Sequence, residues 1–440
     1  MDKKLPTLNE DGVNDMERNS TIYQTYLQIL NEELVPAMGC TEPIAVAYCA
    51  AKARQVLGQL PDRVVVEASG NIIKNVKSVV VPNTGGRRGL AAAAAIGIVA
   101  GNPDRELEVI SEVTAQQQEA LAAFLDNTPI TVKPALSDLV LDIWIHVYAG
   151  EEQASVRIIN HHTGLANILH NGKVLLEQEP VNPVENNGLD YDLLTVADIY
   201  DFATTMDVGD VKELFDRQMA YNCAIAEEGL KNDYGANIGK VLLRTYGDDV
   251  HTRARAKAAA GSDARMSGCE LPVIINSGSG NQGITVSVPV VEYAREWGCS
   301  EDKLYRALAI SNLTALHLKD GIGRLSAFCG AVSAGAAAGA AISYLDGGDL
   351  DDVSHTLVNA LAIASGIVCD GAKASCAAKI SSSIDAAQLG HQMYRDGQQF
   401  YGGDGLVVKG VENTIRSICE VGREGMKDTD RKIIELMTQC

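Results

Sequence analysis

Three cysteines in the C-terminal third carry the clearest chemistry: Cys329 in Leu-Ser-Ala-Phe-Cys-Gly, then Cys369 and Cys376 in Val-Cys-Asp-Gly-Ala-Lys-Ala-Ser-Cys-Ala-Ala-Lys. In a reducing compartment thiols are kept for metal or for catalysis. Three of them on one site would hold an iron–sulfur cluster with one iron left open, and an open iron is a Lewis acid. The competing reading is three small buried hydrophobes, the ordinary state of a free cysteine. No four-cysteine zinc spacing is present. The second and third cysteines flank a helix start, where Gly371 permits a turn and free amides can donate to sulfur. Lys373 and Lys379 bracket Cys376, placed either to orient an anion or to lie solvated on a helix.

Cys40, in Met-Gly-Cys-Thr-Glu-Pro, also stands at a helix start, a position expected to lower its thiol pKa and to bring Glu42 close. It reads as ligand, nucleophile or inert thiol. A glycine-rich stretch, Asn276-Ser277-Gly278-Ser279-Gly280-Asn281-Gln282-Gly283, reads as a flexible loop of amide and hydroxyl donors suited to a carboxylate or phosphate. It lacks the residues of a Walker loop or a dinucleotide fingerprint. Asn83-Thr84-Gly85-Gly86, followed by Arg87 and Arg88, is a second anion-friendly loop, with the arginines either clamping a carboxylate or solvated. His162, in His-His-Thr-Gly between strands, is the candidate general base.

The elements that must position these groups follow from periodicity. Apolar residues at helical spacing predict a helix over Thr21–Val35 and another from Thr41, as N-cap, to Leu57. Valine-rich Arg63–Ala68 and Ser78–Val81 predict strands, Gly89 opens an alanine-rich helix, two further helices fall within 104–125, and 130–174 alternates as strands. Beyond 195 the pattern is helical: 196–205, 208–230, 238–245, 250–264, 301–318, 325–345, 351–365 and 372–388. The fold expected is therefore α+β, with a disordered leader (1–20), an α+β domain (21–178), a linker (179–194), and an Ala/Gly-rich helical domain (195–440) that holds the site.

Composition bounds the function. A chain of 440 residues, 46% hydrophobic, can bury a large core. A net charge of −20 argues against nucleic-acid and membrane partners. The polar N-terminus has no secretory pattern, so a cytoplasmic protein with reduced cysteines is expected. The charge-free run 325–344 is long enough to span a bilayer, but its small side chains favour a buried central helix that neighbours approach closely. Such faces would also suit a homodimer.

Five motifs in order, Met-Gly-Cys-Thr-Glu-Pro, Val-Pro-Asn-Thr-Gly, Ser-Gly-Ser-Gly-Asn-Gln-Gly, Leu-Ser-Ala-Phe-Cys-Gly and Val-Cys-Asp-Gly-Ala-Lys-Ala-Ser-Cys, resemble the L-cysteine desulfidase family, which is related to the iron–sulfur L-serine dehydratase alpha chain. The resemblance runs from about residue 26 to 421. It implies a [4Fe–4S] cluster without pyridoxal phosphate, and cleavage of a small β-substituted amino acid to pyruvate and ammonia. Cys329, Cys369 and Cys376 look like the dehydratase ligand triad. The family also implicates the Gly-Cys-Thr-Glu-Pro cysteine, here Cys40, so four cysteines compete for three places. The interval from Cys369 to Cys376 is shorter than in the dehydratases, and their Ser-His-Thr-Val-Gly-Pro stretch is missing, which tilts the expected substrate from serine toward cysteine. On this reading Ser277 to Gln282, with Asn83, Thr84 and Lys373, bind substrate, and His162, with Cys40 and Glu42, does the proton chemistry. Cys440 reads either as a tail thiol that reaches back to cap the open iron or as a cysteine placed there by chance. A serine deaminase with the same site, or a non-catalytic binder of a small amino acid or anion, are the alternatives.

Overall fold

The computed structural model describes residues 16–178, 189–323 and 325–438. Its first layer is built by β-branched residues. Strand β2 (Arg63–Ala68), β3 (Ile130–Pro134), β4 (Asp142–Ala149), β5 (Glu152–Ile159), β6 (Leu165–His170) and β7 (Lys173–Glu177) form one sheet in the order β3-β2-β4-β5-β6-β7. All pairs are antiparallel except β2 with β3. Alternation does the work predicted of it: Ile143, Ile145 and Val147 on β4 and Ala154, Val156 and Ile158 on β5 all point inward and are buried. Each such Ile or Val contributes about 1.5–3 kcal/mol by leaving water.

That inner face is covered by α2 (Thr41–Leu57), which packs in turn on α4 (Gly89–Ala100). The remaining helices of this half are α1 (Thr21–Glu33), the short α3 (Gly70–Val76) and α5 (Ala115–Asn127). Helix α1 packs on the helical half: Tyr23 and Tyr26 meet Phe202 edge-on, and Tyr26 donates to the Leu193 carbonyl.

The second half is helical: α6 (Val196–Thr205), α7 (Lys212–Lys231), α8 (Ile238–Tyr246), α9 (Val250–Met266), α10 (Gly280–Glu296), α11 (Glu301–Ile322), α12 (Gly330–Leu345), α13 (Leu350–Ala364), α14 (Ser375–Arg395), α15 (Val411–Glu420) and α16 (Lys427–Thr438). Helix α12 is the buried axis, packed by α10, α11, α13 and α14. Its small residues permit that crowding: a Cβ at Gly335 would stand 2.8 Å from Ser383, and one at Gly339 2.7 Å from Ala387. Among the described residues no helix is long and apolar enough to cross a membrane.

The α+β-then-helical order is as the sequence predicts; several details differ. Ser78–Val81 is not a strand but carries a single bridge, Val80 to Arg88. Cys40, not Thr41, is the N-cap of α2. The helix foreseen over 208–230 is a 3₁₀ turn, Val208–Asp210, then α7. Helix 325–345 starts only at Gly330. Helices α3, α10, α15 and α16 went unforeseen. Of the foreseen leader, residues 1–15 lie outside the described residues, while Arg18 pairs with Asp207 and Asp210 and Ser20 caps α1. Of the foreseen linker, 179–188 lie outside them; Leu189 and Tyr191 are buried.

Two short pairings matter most. Strand β1 (Pro36–Met38) pairs antiparallel with β8 (Pro272–Ile274), and Phe328 bridges Val368. The first sets the Cys40 turn beside the Ser277 turn. The second sets Cys329 beside Cys369, with the Cys329 amide donating to Ile367 and the Cys369 amide to Ala327.

Candidate active site

Four helices begin at one place. Cys40 caps α2, Ser279 caps α10, Cys329 caps α12, and Cys376 is the second residue of α14. They wall a cavity of about 270 Å³ whose lining includes Cys40, Glu42, His162, Ser277, Gly278, Ser279, Asn281, Gln282, Cys329, Cys369 and Cys376. Converging helix N-termini give such a cavity a positive field.

The thiol wall is made by Cys329, Cys369 and Cys376. Burial pushes the Cys329 thiol up to about 12, and the neighbouring Cys369 and Cys376 push the same way. Burial likewise raises Cys376, with Cys369 adding to it and Lys373 and Lys379 opposing. Left to themselves, Cys329 and Cys376 resist ionisation, first because they are buried and then because a neighbouring thiolate would repel theirs. A cationic iron centre removes that penalty, and an all-sulfur donor set suits iron–sulfur chemistry. Among the described residues no three His, Cys, Asp or Glu side chains are grouped to hold a single metal ion. Three thiols on one cavity are instead the donor set that an iron–sulfur cluster with one open iron would take.

The same cavity carries a proton-bearing pair, with Cys376 packed against the small cluster of Cys40, Val79 and Met266. Cys40 Sγ donates to Glu42 Oε2 at 3.0 Å and Asn75 Nδ2 to Oε1 at 2.8 Å, with Thr41 Oγ1 3.2 Å from Oε2. Burial alone would raise the Glu42 carboxyl, but the charge of His162, the Cys40 hydrogen bond and Arg265 hold it below its usual value. Cys40 moves the other way: burial and then the Glu42 carboxylate raise its thiol well above the ordinary value. This reverses the lowering expected from the helix N-terminus, because desolvation and an adjacent carboxylate outweigh a partial dipole. His162 sits on the turn between β5 and β6.

The glycine-rich stretch is not a flexible loop. Asn276 and Ser279 exchange backbone hydrogen bonds across Ser277 (φ 50°) and Gly278 (φ 71°), a tight turn that runs straight into α10. Thr41 Oγ1 donates to the Gly278 carbonyl, locking this turn to the start of α2. Gly280 does not line the cavity; a Cβ there would stand 2.3 Å from Arg265 Nε, so its missing side chain makes room for that arginine.

Three other expected substrate residues stand away from the cavity lining. Asn83 donates to the Ile110 carbonyl and Thr84 to the Val81 carbonyl, so both brace their own loop. Arg87 and Arg88 likewise bond the Thr84 and Ser78 carbonyls. Lys373 pairs with Asp370, which Lys379 also holds, and the two lysines tie down the turn between Cys369 and Cys376. Cys440 lies outside the described residues.

Sequence reasoning missed four lining residues: Asn71, Lys74 and Asn75 on α3, and Arg265 at the end of α9. All are buried. Asn71 and Asn75 recur four positions apart, the one signal that pointed to a shared helix face. A lone arginine after an alanine run gave none. Asn71, Asn75 and Gln282 each keep a side-chain oxygen without a hydrogen-bond partner.

Three thiols, a thiol–carboxylate pair and four helix starts on one cavity define an enzyme-type site for a small polar molecule. Residues 104–435 match the serine dehydratase alpha chain family, and the chain belongs to it. It is 57% identical over 426 residues to a UPF0597 protein of Desulfitobacterium hafniense, covering 97% of this chain and 99% of that one. UPF0597 proteins of Lachnoclostridium phytofermentans (49%; 94% of this chain, 100% of that one) and Treponema denticola (47%; 96% and 99%) are similar over the same extent.

Proposed function

We propose that the chain is an iron–sulfur lyase of the serine dehydratase type that eliminates hydrosulfide from L-cysteine, giving pyruvate, ammonia and sulfide. The observation that carries this reading is the meeting of three thiols and the Cys40–Glu42–His162 group on one cavity. Cys329, Cys369 and Cys376 hold a [4Fe–4S] cluster; when bound, it supplies a Lewis acid for the β-leaving group.

The chain's own residues do the rest. His162 takes the α-proton, a role suited to its place beside the Glu42 carboxylate. Glu42 stays ionised and so stabilises the imidazolium that forms. Cys40 keeps its proton and donates it to Glu42, which leaves it out of the ligand set. The Ser277–Gly278 turn, locked by Thr41, closes one side and limits water. Loss of hydrosulfide leaves an aminoacrylate, which water converts to pyruvate and ammonia.

Serine, with water leaving, is a second reading favoured by the family match over residues 104–435. The test is anaerobic purification, iron and sulfide analysis, and comparison of sulfide release from cysteine with pyruvate formation from serine. Cys329→Ser, Cys369→Ser and Cys376→Ser each lose iron and colour, whereas Cys40→Ser keeps iron and loses turnover. Wild-type protein without iron refutes the lyase; loss of iron in Cys40→Ser refutes the division of the four cysteines.

A further inference from the structure

Arg265 is 2% exposed, yet among the described residues it has no ion pair: its one side-chain hydrogen bond runs from Nη1 to Asn281 Oδ1 at 3.1 Å, and its Nε is without a partner. Three other buried charges are matched by ion pairs, Lys74 by Asp430, Asp142 by Arg157 and Glu292 by Lys257, and buried Asp263 by the backbone amides of Ala236 and Ile238. The guanidinium acts on the Glu42 carboxylate only at a distance, with no ion pair, and a buried arginine so loosely matched is unfavourable, which leaves it available to an anion that comes and goes. The surroundings agree. Arg265 lines the cavity, and the N-terminus of the 17-residue helix α10 starts beside it, with Gly280 stripped of a side chain where the guanidinium passes. The unpartnered oxygens of Asn71, Asn75 and Gln282 line the same cavity and suit an ammonium group.

We infer that Arg265 binds the α-carboxylate of the substrate while the amide oxygens of Asn71, Asn75 and Gln282 receive its α-ammonium group, so that the site selects free α-amino acids. The inference rests on the lyase reading for the identity of the substrate and not for the existence of the carboxylate site. It gives Arg265 the part that the sequence assigned to Asn83, Thr84 and Lys373.

The test uses full-length protein prepared anaerobically and three probes that cannot be turned over: L-alanine, propionate and L-alaninamide. L-alanine and propionate raise the melting temperature of the wild type and L-alaninamide does not. Arg265→Met, unliganded, melts no lower than the wild type, since it removes a buried charge that has no ion pair, and binds L-alanine about 10- to 100-fold more weakly by calorimetry, the loss of one charge-assisted contact. Arg265→Lys keeps the charge without the planar fork and is also weakened. Unchanged L-alanine affinity in either variant overturns the inference. So does a wild type indifferent to both carboxylates, or an Arg265→Met that is destabilised without ligand. Lyase activity with unchanged binding in Arg265→Met removes the Arg265 assignment alone; no lyase activity with Arg265-dependent L-alanine binding removes the lyase alone.

Discussion

The ion pair between Lys74 and Asp430 joins the last described helix to the wall of the site, and deleting it has a calculable cost. Lys74 Nζ lies 2.5 Å from Asp430 Oδ1, with the lysine side chain 1% exposed and the aspartate 16%. The pair is therefore asymmetric. Asp430→Ala strands a buried ammonium and costs about 3–5 kcal/mol. Lys74→Met leaves a carboxylate that already reaches water, and costs about 1–3 kcal/mol. The double variant removes both charges and recovers most of the loss, because an apolar replacement of a buried pair is often neutral. Urea unfolding of the four proteins gives the cycle, and hydrogen exchange locates it: Asp430→Ala exposes amides of α16 and of α3, where Gly70 packs on Ile434. Turnover falls with it, since α3 carries the Asn75 that holds Glu42. An Asp430→Ala cost below about 1 kcal/mol, or a double variant less stable than Asp430→Ala, refutes the reasoning.

Two further results are expected. Glu42 is held below its usual 4.5 in the fold, so its ionised form stabilises the protein above that value and the contribution disappears as pH falls through the lower, folded value; Glu42→Gln is therefore less stable than wild type at neutral pH and equal to it in acid, and a pH-independent gap in urea midpoints contradicts this. Gly280→Ala places a Cβ 2.3 Å from Arg265 Nε and 2.6 Å from Val273, and costs about 1–3 kcal/mol with a matching fall in melting temperature; an unchanged melting temperature shows that the arginine can move aside.

Much of the scaffold was legible because one rule governed it. Strands β4 and β5 alternate cleanly since one sheet face is buried under α2, and α6 was read to the residue from its amphipathic spacing. Helix α10 escaped because it is buried on nearly every face and contains Pro289, so neither a polar stripe nor an unbroken helix former marks it. Ser78–Val81 misled for the converse reason: Val79 and Val81 are buried, but the segment lacks a neighbouring strand. The thiol motifs were visible as residue types, whereas their meeting depends on the Phe328–Val368 bridge and the β1–β8 pairing, contacts between distant segments that no local pattern encodes. Arg265 was illegible because its meaning lies in a missing partner.

The same electrostatics supports the proposed division of the four candidate thiols into three and one. A metal ligand must be a thiolate, and Cys40 as a thiolate would face the Glu42 carboxylate at 3.0 Å. At the effective dielectric typical of proteins, two like charges that close repel by about 5 kcal/mol. Binding metal through Cys40 would thus require Glu42 to be protonated, yet Asn75, His162 and Arg265 all favour its ionised form. Among the described residues no carboxylate hydrogen-bonds to Cys329, Cys369 or Cys376, and the Lys379 ammonium favours ionisation of both Cys329 and Cys376. Position at a helix start is common to Cys40, Cys329 and Cys376 and cannot separate them; the neighbouring charge does.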